Sequence, residues 1–298
     1  MADRLLTASA ANGTVSLVSG ITTSLVREAQ ERHALAPTAS AAVGRLITGA
    51  ALLGASLTGK ERLTLQVNGD GPIGSIAADA WNSGAGRVDA RAYARNPDAD
   101  RPLNARGKFD VAGIVGRGQL QVTKSYEIGQ PYQGIVPLES GEIGDDLASY
   151  LLNSQQIPSV VALGVLANPE GIVAAGGVIA QLMPGADDAT IAALEANVAG
   201  MHSVTQQIVE GADPETLLQA VARGLAIKFY DSYDVAFGCR CTLDKVETAL
   251  LGLGRDELEK IASEQPQTEA VCEFCKRHYV LSARDVHGLL ARLDTTGR

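Results

Sequence analysis

The chain has 298 residues, 46% apolar and 20% charged, a globular composition long enough for one large core and a smaller module. Aromatic residues make up only 4%, so the core must be built from Ala, Val, Leu and Ile, and stacking platforms for bases are not expected. The net charge is −9 with no basic stretch: residues 231–298 carry nine Lys/Arg against twelve Asp/Glu, and residues 181–230 carry two against six, so the chain lacks the cationic face that binding to nucleic-acid phosphates requires.

In chain order, MADRLLTASAANG contains no apolar stretch of signal-peptide length, which gives a cytoplasmic expectation. Alternating apolar and polar residues predict strands over Thr14–Ser19, Arg62–Val67, Arg87–Ala94 and Gly118–Ser125. Two helices are expected early, Thr23–Ala34 and Thr38–Leu57. The segment from Ala36 to Leu57 is apolar on nearly all sides, yet it holds Arg45 near its middle together with Pro37, Thr38, Ser40 and Thr48. It therefore reads as a helix buried in a soluble core rather than a membrane span. A further helix runs from about Glu142 to Gln156, with Leu147, Tyr150 and Leu151 inward, and Gly171–Leu182 reads as a late strand. Beyond Met183-Pro184-Gly185 the pattern becomes amphipathic and helical, with Asp187 or Asp188 capping one helix (Ile191, Leu194, Val198, Met201) and Asp213-Pro214 starting another that stops at Gly224. From Asp231 onward a compact module is expected. It has a helix capped by Thr242 with Leu243, Val246 and Leu250 inward, a helix over Asp256–Ser263, a strand at His278-Tyr279-Val280, and a last helix begun by Ser282 and Asp285. The expected division is 1–183 for an α+β core, 184–230 for a helical connector and 231–298 for the module.

All four cysteines fall in that module: Cys239-x-Cys241, thirty residues, then Cys272-x-x-Cys275. Paired short spacings let two chain segments each supply two soft ligands to a tetrahedral zinc ion. Four thiolates leave no open position for water, so a structural site is expected rather than a hydrolytic one. A module this small has little core of its own, and metal binding of roughly 10–16 kcal/mol would contribute directly to its folding. Thiolates are also the form of cysteine that oxidants attack, giving sulfenic acid and then a disulfide with a neighbouring thiol. The same four residues can therefore hold the fold and sense oxidant. A thioredoxin-like Cys-x-x-Cys would instead need a helix opening at the motif and would leave the first pair unexplained.

With these cysteine spacings, and with the stretches Tyr150 to Ser159 (YLLNSQQIPS) and Asn68 to Gly74 (NGDGPIG), the sequence resembles the redox-regulated 33 kDa chaperonin (heat shock protein 33) family along essentially its whole length. The resemblance implies an α+β fold: a layered β/α/β N-terminal domain with a buried central helix, a helical connector and a small C-terminal zinc-binding redox-switch domain. It implies that reduced Cys239, Cys241, Cys272 and Cys275 bind one Zn2+ in an inactive protein. Oxidation would pair Cys239 with Cys241 and Cys272 with Cys275, release zinc, and loosen the module and connector. The exposed apolar surface would then hold unfolded or misfolded client proteins without ATP, as a cytoplasmic holdase in the stress response, and as a homodimer when oxidised. No catalytic residues, nucleic acid or membrane enter that function.

Two other patterns carry less. Gly69-x-Gly71-x-x-Gly74 matches a dinucleotide fingerprint, but Pro72 lies inside it and no helix follows, so a hairpin turn is expected. Gly54-x-x-x-x-Gly59-Lys60 resembles a phosphate loop with Glu61 where a Ser or Thr should bind magnesium. Among the histidines, His33 and His202 read as surface or helix residues, and His278 is a possible substitute ligand beside Cys275. The residues alone leave two rivals to the holdase: a zinc-module adaptor for nucleic acid or protein, and a thiol oxidoreductase.

Overall fold

The computed structural model describes residues 2–296, which form two compact units divided after Gly238. In the first unit the chain begins with β1 (Arg4–Ala10), β2 (Val15–Ile21), α1 (Thr23–His33) and α2 (Pro37–Gly54). A meander follows of β3 (Arg62–Gly69), β4 (Ser75–Gly84) and β5 (Arg87–Ala94). Next come α3 (Val111–Val115), β6 (Gly118–Ser125), β7 (Tyr132–Pro137), α4 (Gly144–Asn153), β8 (Ser159–Asn168) and β9 (Gly171–Leu182). The unit ends with α5 (Asp188–Ala199), α6 (Val204–Val209), α7 (Pro214–Val221) and β10 (Ile227–Phe237).

All ten strands join one sheet in the order β7-β6-β3-β4-β5-β10-β1-β2-β9-β8. β10 is the link between its halves, antiparallel to β1 (Arg4 opposite Asp234) and parallel to β5 (Val235 opposite Val88). The helix expected from the apolar run is α2, and it packs against β3, β4 and β5 from one half and β8 and β9 from the other. Residues all round it are buried, including Ala42, Val43, Leu46, Ile47, Ala50 and Ala51, as its lack of a polar face requires. This is the layered arrangement with a buried central helix.

The strands sort their side chains between two cores by alternation. Leu5, Ala175 and Ile179 join the cluster around α2. Ala8, Val15, Leu17, Val178 and Ala180 face the opposite way, onto Leu194 of α5, Val204 of α6 and Leu217, Leu218 and Val221 of α7. The connector helices thus lie on the outer face of the sheet. Asp187, Ser203 and Asp213 cap them by accepting the backbone N–H of Thr190, Gln206 and Thr216.

Several expectations change. Asp231 lies within β10, because residues 232–237 pair with β1 and β5 of the first unit's sheet. The connector contains a third helix, α6, and the helix expected over Glu142–Gln156 is confined to Gly144–Asn153. The Gly69–Gly74 segment is the β3–β4 turn, as expected. Gly69 and Gly71 are required there because a Cβ on either would lie 1.9 or 2.3 Å from the carbonyl oxygens of Val115 and Ile114 at the end of α3. Gly59, with φ of +56°, is part of the turn from α2 into β3, and Lys60 pairs with Glu127 at 2.7 Å. His33 is buried in α1, whereas His202 is exposed between α5 and α6. No helix among the described residues is long and apolar enough to cross a membrane.

The second unit contains α8 (Leu243–Leu251), α9 (Arg255–Glu264), the hairpin β11 (Gln267–Val271) and β12 (His278–Ser282), and α10 (Ala283–Thr296). Its buried cluster is small: Leu258, Ala262, Leu281, Val286, Leu289 and Leu290. Val246 and Leu250 pack against this cluster, but Leu243, expected inward, is 46% exposed at the first position of α8. The Ser282–Asp285 cap forms as read, with Ser282 N–H donating to Asp285 at 2.8 Å and Asp285 N–H donating to the Ser282 hydroxyl at 3.2 Å.

Candidate metal centre

The two cysteine pairs reach the site by different local structures. Cys272 and Cys275 lie on the turn of the β11–β12 hairpin, just beyond the terminal pair Val271–His278. The turn is closed by Cys272 N–H donating to the Arg277 carbonyl at 2.9 Å and Lys276 N–H donating to the Cys272 carbonyl at 2.8 Å. Lys276 takes the left-handed conformation, φ +56°, that turns the chain back into β12. Cys239 and Cys241 lie in the irregular segment before α8, whose first turn is capped by Thr242 accepting from Lys245 N–H at 3.3 Å.

All four Sγ atoms lie within 4.8 Å of one another, and among the described residues they form the one His/Cys/Asp/Glu group able to share an ion. Cys239 and Cys272 are 3.8 Å apart, and Cys241 and Cys275 are 3.4 Å apart. A disulfide would require about 2.05 Å, and none of the four cysteines is disulfide-bonded. Ligands about 2.3 Å from a tetrahedral zinc ion sit about 3.8 Å from each other, so the cage has the dimensions of an S4 site. Donor chemistry and spacing both fit zinc.

The electrostatics point the same way. Burial first, and then the neighbouring Cys239 sulfur, raise the Cys272 thiol, against hydrogen bonds from the Cys275 and Phe274 backbone and the Cys275 side chain that lower it. Burial first, then hydrogen bonds with the neighbouring thiols, pushes Cys275 up to about 12. Four thiolates packed this closely need a compensating cation, which a divalent metal supplies.

His278 does not enter the cage; its Nδ1 lies 2.5 Å from Glu269 across the hairpin. A participant that sequence reading missed is Tyr279, whose hydroxyl donates to Cys241 Sγ at 3.1 Å. Its only signal was a strand position four residues past Cys275, which does not reveal that the ring reaches the other pair. A strand precedes the Cys-x-x-Cys motif and a second strand follows it, so the helix that a thioredoxin-like site would open at the motif is not present.

A two-unit α/β protein with a four-thiol cage in its C-terminal unit is the class that fold and site define. The sequence model described as "Hsp33 protein" matches residues 3–282. The chain is 42% identical over 289 residues to the 33 kDa chaperonin of Bacillus subtilis, covering 96% of this chain and 98% of that one. It is 39% identical over 298 residues to the 33 kDa chaperonin of Clostridium acetobutylicum, covering 99% of each. The crystal structure of the Thermotoga maritima 33 kDa chaperonin superposes with a TM-score of 0.88 at 32% identity, covering 99% of this chain and 100% of that one. The chain belongs to the Hsp33 family.

Proposed function

We propose that this chain is an ATP-independent holdase of the oxidative stress response, inactive while reduced Cys239, Cys241, Cys272 and Cys275 bind one zinc ion. Family membership supports the chaperone role, and relatives matching over nearly the full length carry the name chaperonin. The observation that carries the regulation is the S4 cage itself, four unlinked thiols within 4.8 Å, in a unit with a very small apolar core. Zinc, when bound, would fix all four thiolates in one tetrahedron and so tie the segment before α8 to the β11–β12 hairpin.

The oxidation balances with peroxide as the oxidant. One thiolate sulfur attacks the peroxide, breaking its O–O bond to give a sulfenic acid and, with a proton, water. A neighbouring thiol sulfur then displaces the sulfenic hydroxyl as a second water and forms the S–S bond. Two peroxides consume the four thiols. The pairing implied by resemblance, Cys239 with Cys241 and Cys272 with Cys275, needs only local rearrangement from sulfurs this close. Each disulfide removes two metal ligands.

We further propose three functional parts: the α2-centred core of residues 1–183, the connector of 184–230 that covers the sheet, and the switch whose cysteines begin at Cys239. Client-binding surface would come from the connector and the sheet face beneath it, where Leu194, Leu217, Leu218 and Val221 are now buried in one cluster with side chains of β1, β2 and β9. The oxidised form is expected to dimerise in the cytoplasm, and neither nucleic acid nor a membrane takes part. Metal analysis of the purified reduced protein tests the site. One zinc per chain is expected, with little in Cys272→Ser. Full zinc in that variant would remove Cys272 from the ligand set.

A further inference from the structure

The sheet ends at β8, whose strand partner is β9, so one row of its backbone N–H and C=O groups faces away from the sheet. α4 covers that row near Val161, where Gly144 lies close to the Val161 carbonyl, and the stretch beyond it borders a cleft. This cleft, of about 470 Å3, is lined by every residue from Ala162 to Ala167. Successive strand side chains point to opposite faces, so six consecutive lining residues mean that the cleft runs along the strand's edge rather than over one face. Its walls come from the loop before α3, with Leu103, Lys108 and Phe109, and from the α5–α6 junction, with Met201, His202 and Thr205.

The other end of the sheet offers no equivalent. β7 has six residues and closes with Pro137, which lacks a donor. Charge also distinguishes the cleft. In a chain of net charge −9, its lining holds Arg45, Lys108 and His202 and no carboxylate. Arg45 is engaged by Glu142 at 2.5 Å. Lys108 is exposed and has no ion-pair partner among the described residues. The volume is within the usual range for a ligand site, and the exposed Leu166 adds apolar surface along the strand.

We propose that this cleft captures an extended polypeptide segment of a client, which adds to β8 as an eleventh strand and places an acidic side chain against Lys108. Main-chain hydrogen bonding makes the capture tolerant of sequence, and the apolar walls with Lys108 favour segments in which acidic and apolar residues alternate. The proposal rests on the chaperone reading and adds a second place for the client, with its own chemistry, beside the connector face that oxidation would uncover.

The test uses full-length protein, reduced and oxidised, and a fluorescent peptide of alternating Glu and Val as long as the Ala162–Ala167 stretch that lines the cleft. Binding is read by anisotropy, with aggregation suppression assayed on the same samples. Methylating the backbone nitrogens along one edge of the peptide should abolish binding, while methylating the opposite edge should spare it. Lys108→Glu, an exposed loop change, should weaken binding by about tenfold, and replacing Glu by Gln in the peptide should lower affinity for the unaltered protein. Equal binding of both methylated peptides, or no effect of Lys108→Glu, overturns the proposal even if oxidation switches on the holdase. Peptide capture that follows these rules in a protein that never suppresses aggregation supports the cleft and sinks the holdase reading instead. Competition between the peptide and self-association, measured by sedimentation, would assign the edge to a second copy of the chain and overturn the proposal.

Discussion

Asp146 is wholly buried at the start of α4, where its carboxylate accepts the backbone N–H groups of Glu139, Ser140, Gly141 and Ile143 at 2.8 to 3.1 Å. Asp146→Ala would leave these donors unpaired at about 1–3 kcal/mol each where water cannot reach them. A loss of at least about 3 kcal/mol is expected in urea unfolding of residues 1–238. The cage cysteines predict a different pattern. Cys272→Ser should remove zinc and speed amide exchange across residues 239–293 without oxidant, while exchange at α2 stays slow. The cysteine set was legible because its chemistry depends on residue type and spacing alone. Asp146 was not, because nothing near it in sequence marks it as the acceptor for a whole loop, and the same holds for Tyr279.

Elements with their own periodicity or caps could be read locally. α2 was visible as a run apolar on nearly all sides despite Arg45, and Asp187, Asp213 and Ser282 stood where their helices begin. Strands built of small or mixed residues gave no contrast. β1 reads RLLTASA, β8 is half-buried on both faces, and β10 carries Asp231 and Asp234 among its aromatics. What makes β10 a strand is its pairing with residues more than two hundred positions away, which local pattern cannot supply. For the connector, Asp213→Ala should cost about 1 kcal/mol by removing the α7 cap. Hydrogen bonds from the Thr216 backbone and hydroxyl hold Asp213 below the ordinary carboxylate value of 3.8, and those of Thr190 lower Asp187 similarly. With the folded pKa the lower one, this stabilisation is fully present above the unfolded value and is lost as pH falls through the folded value. Connector helicity should therefore not change between pH 7 and pH 5 and should weaken only in stronger acid, as followed by circular dichroism. Leu217→Ala, at a site with no exposure, should loosen the connector by about 2–5 kcal/mol and lower the peroxide dose needed for holdase activity.

At the scale of the molecule, β10 places the end of the first unit after the connector and immediately before Cys239. A fragment ending at Gly238 retains all ten strands and should melt cooperatively. One ending at Tyr230 loses most of the strand that joins the two halves of the sheet and should not. The thiol cage and the sheet are then separate folding problems on one chain, which is the requirement for a switch that unfolds one part and keeps the other. The most direct test follows zinc, free thiols and suppression of client aggregation together while the full-length protein is treated with peroxide under mild heat. Zinc release and loss of all four thiols should rise in step with holdase activity, and reduction with zinc resupplied should reverse all three. Zinc and thiols lost with no activity gained, or full activity with the cage intact, would contradict the account.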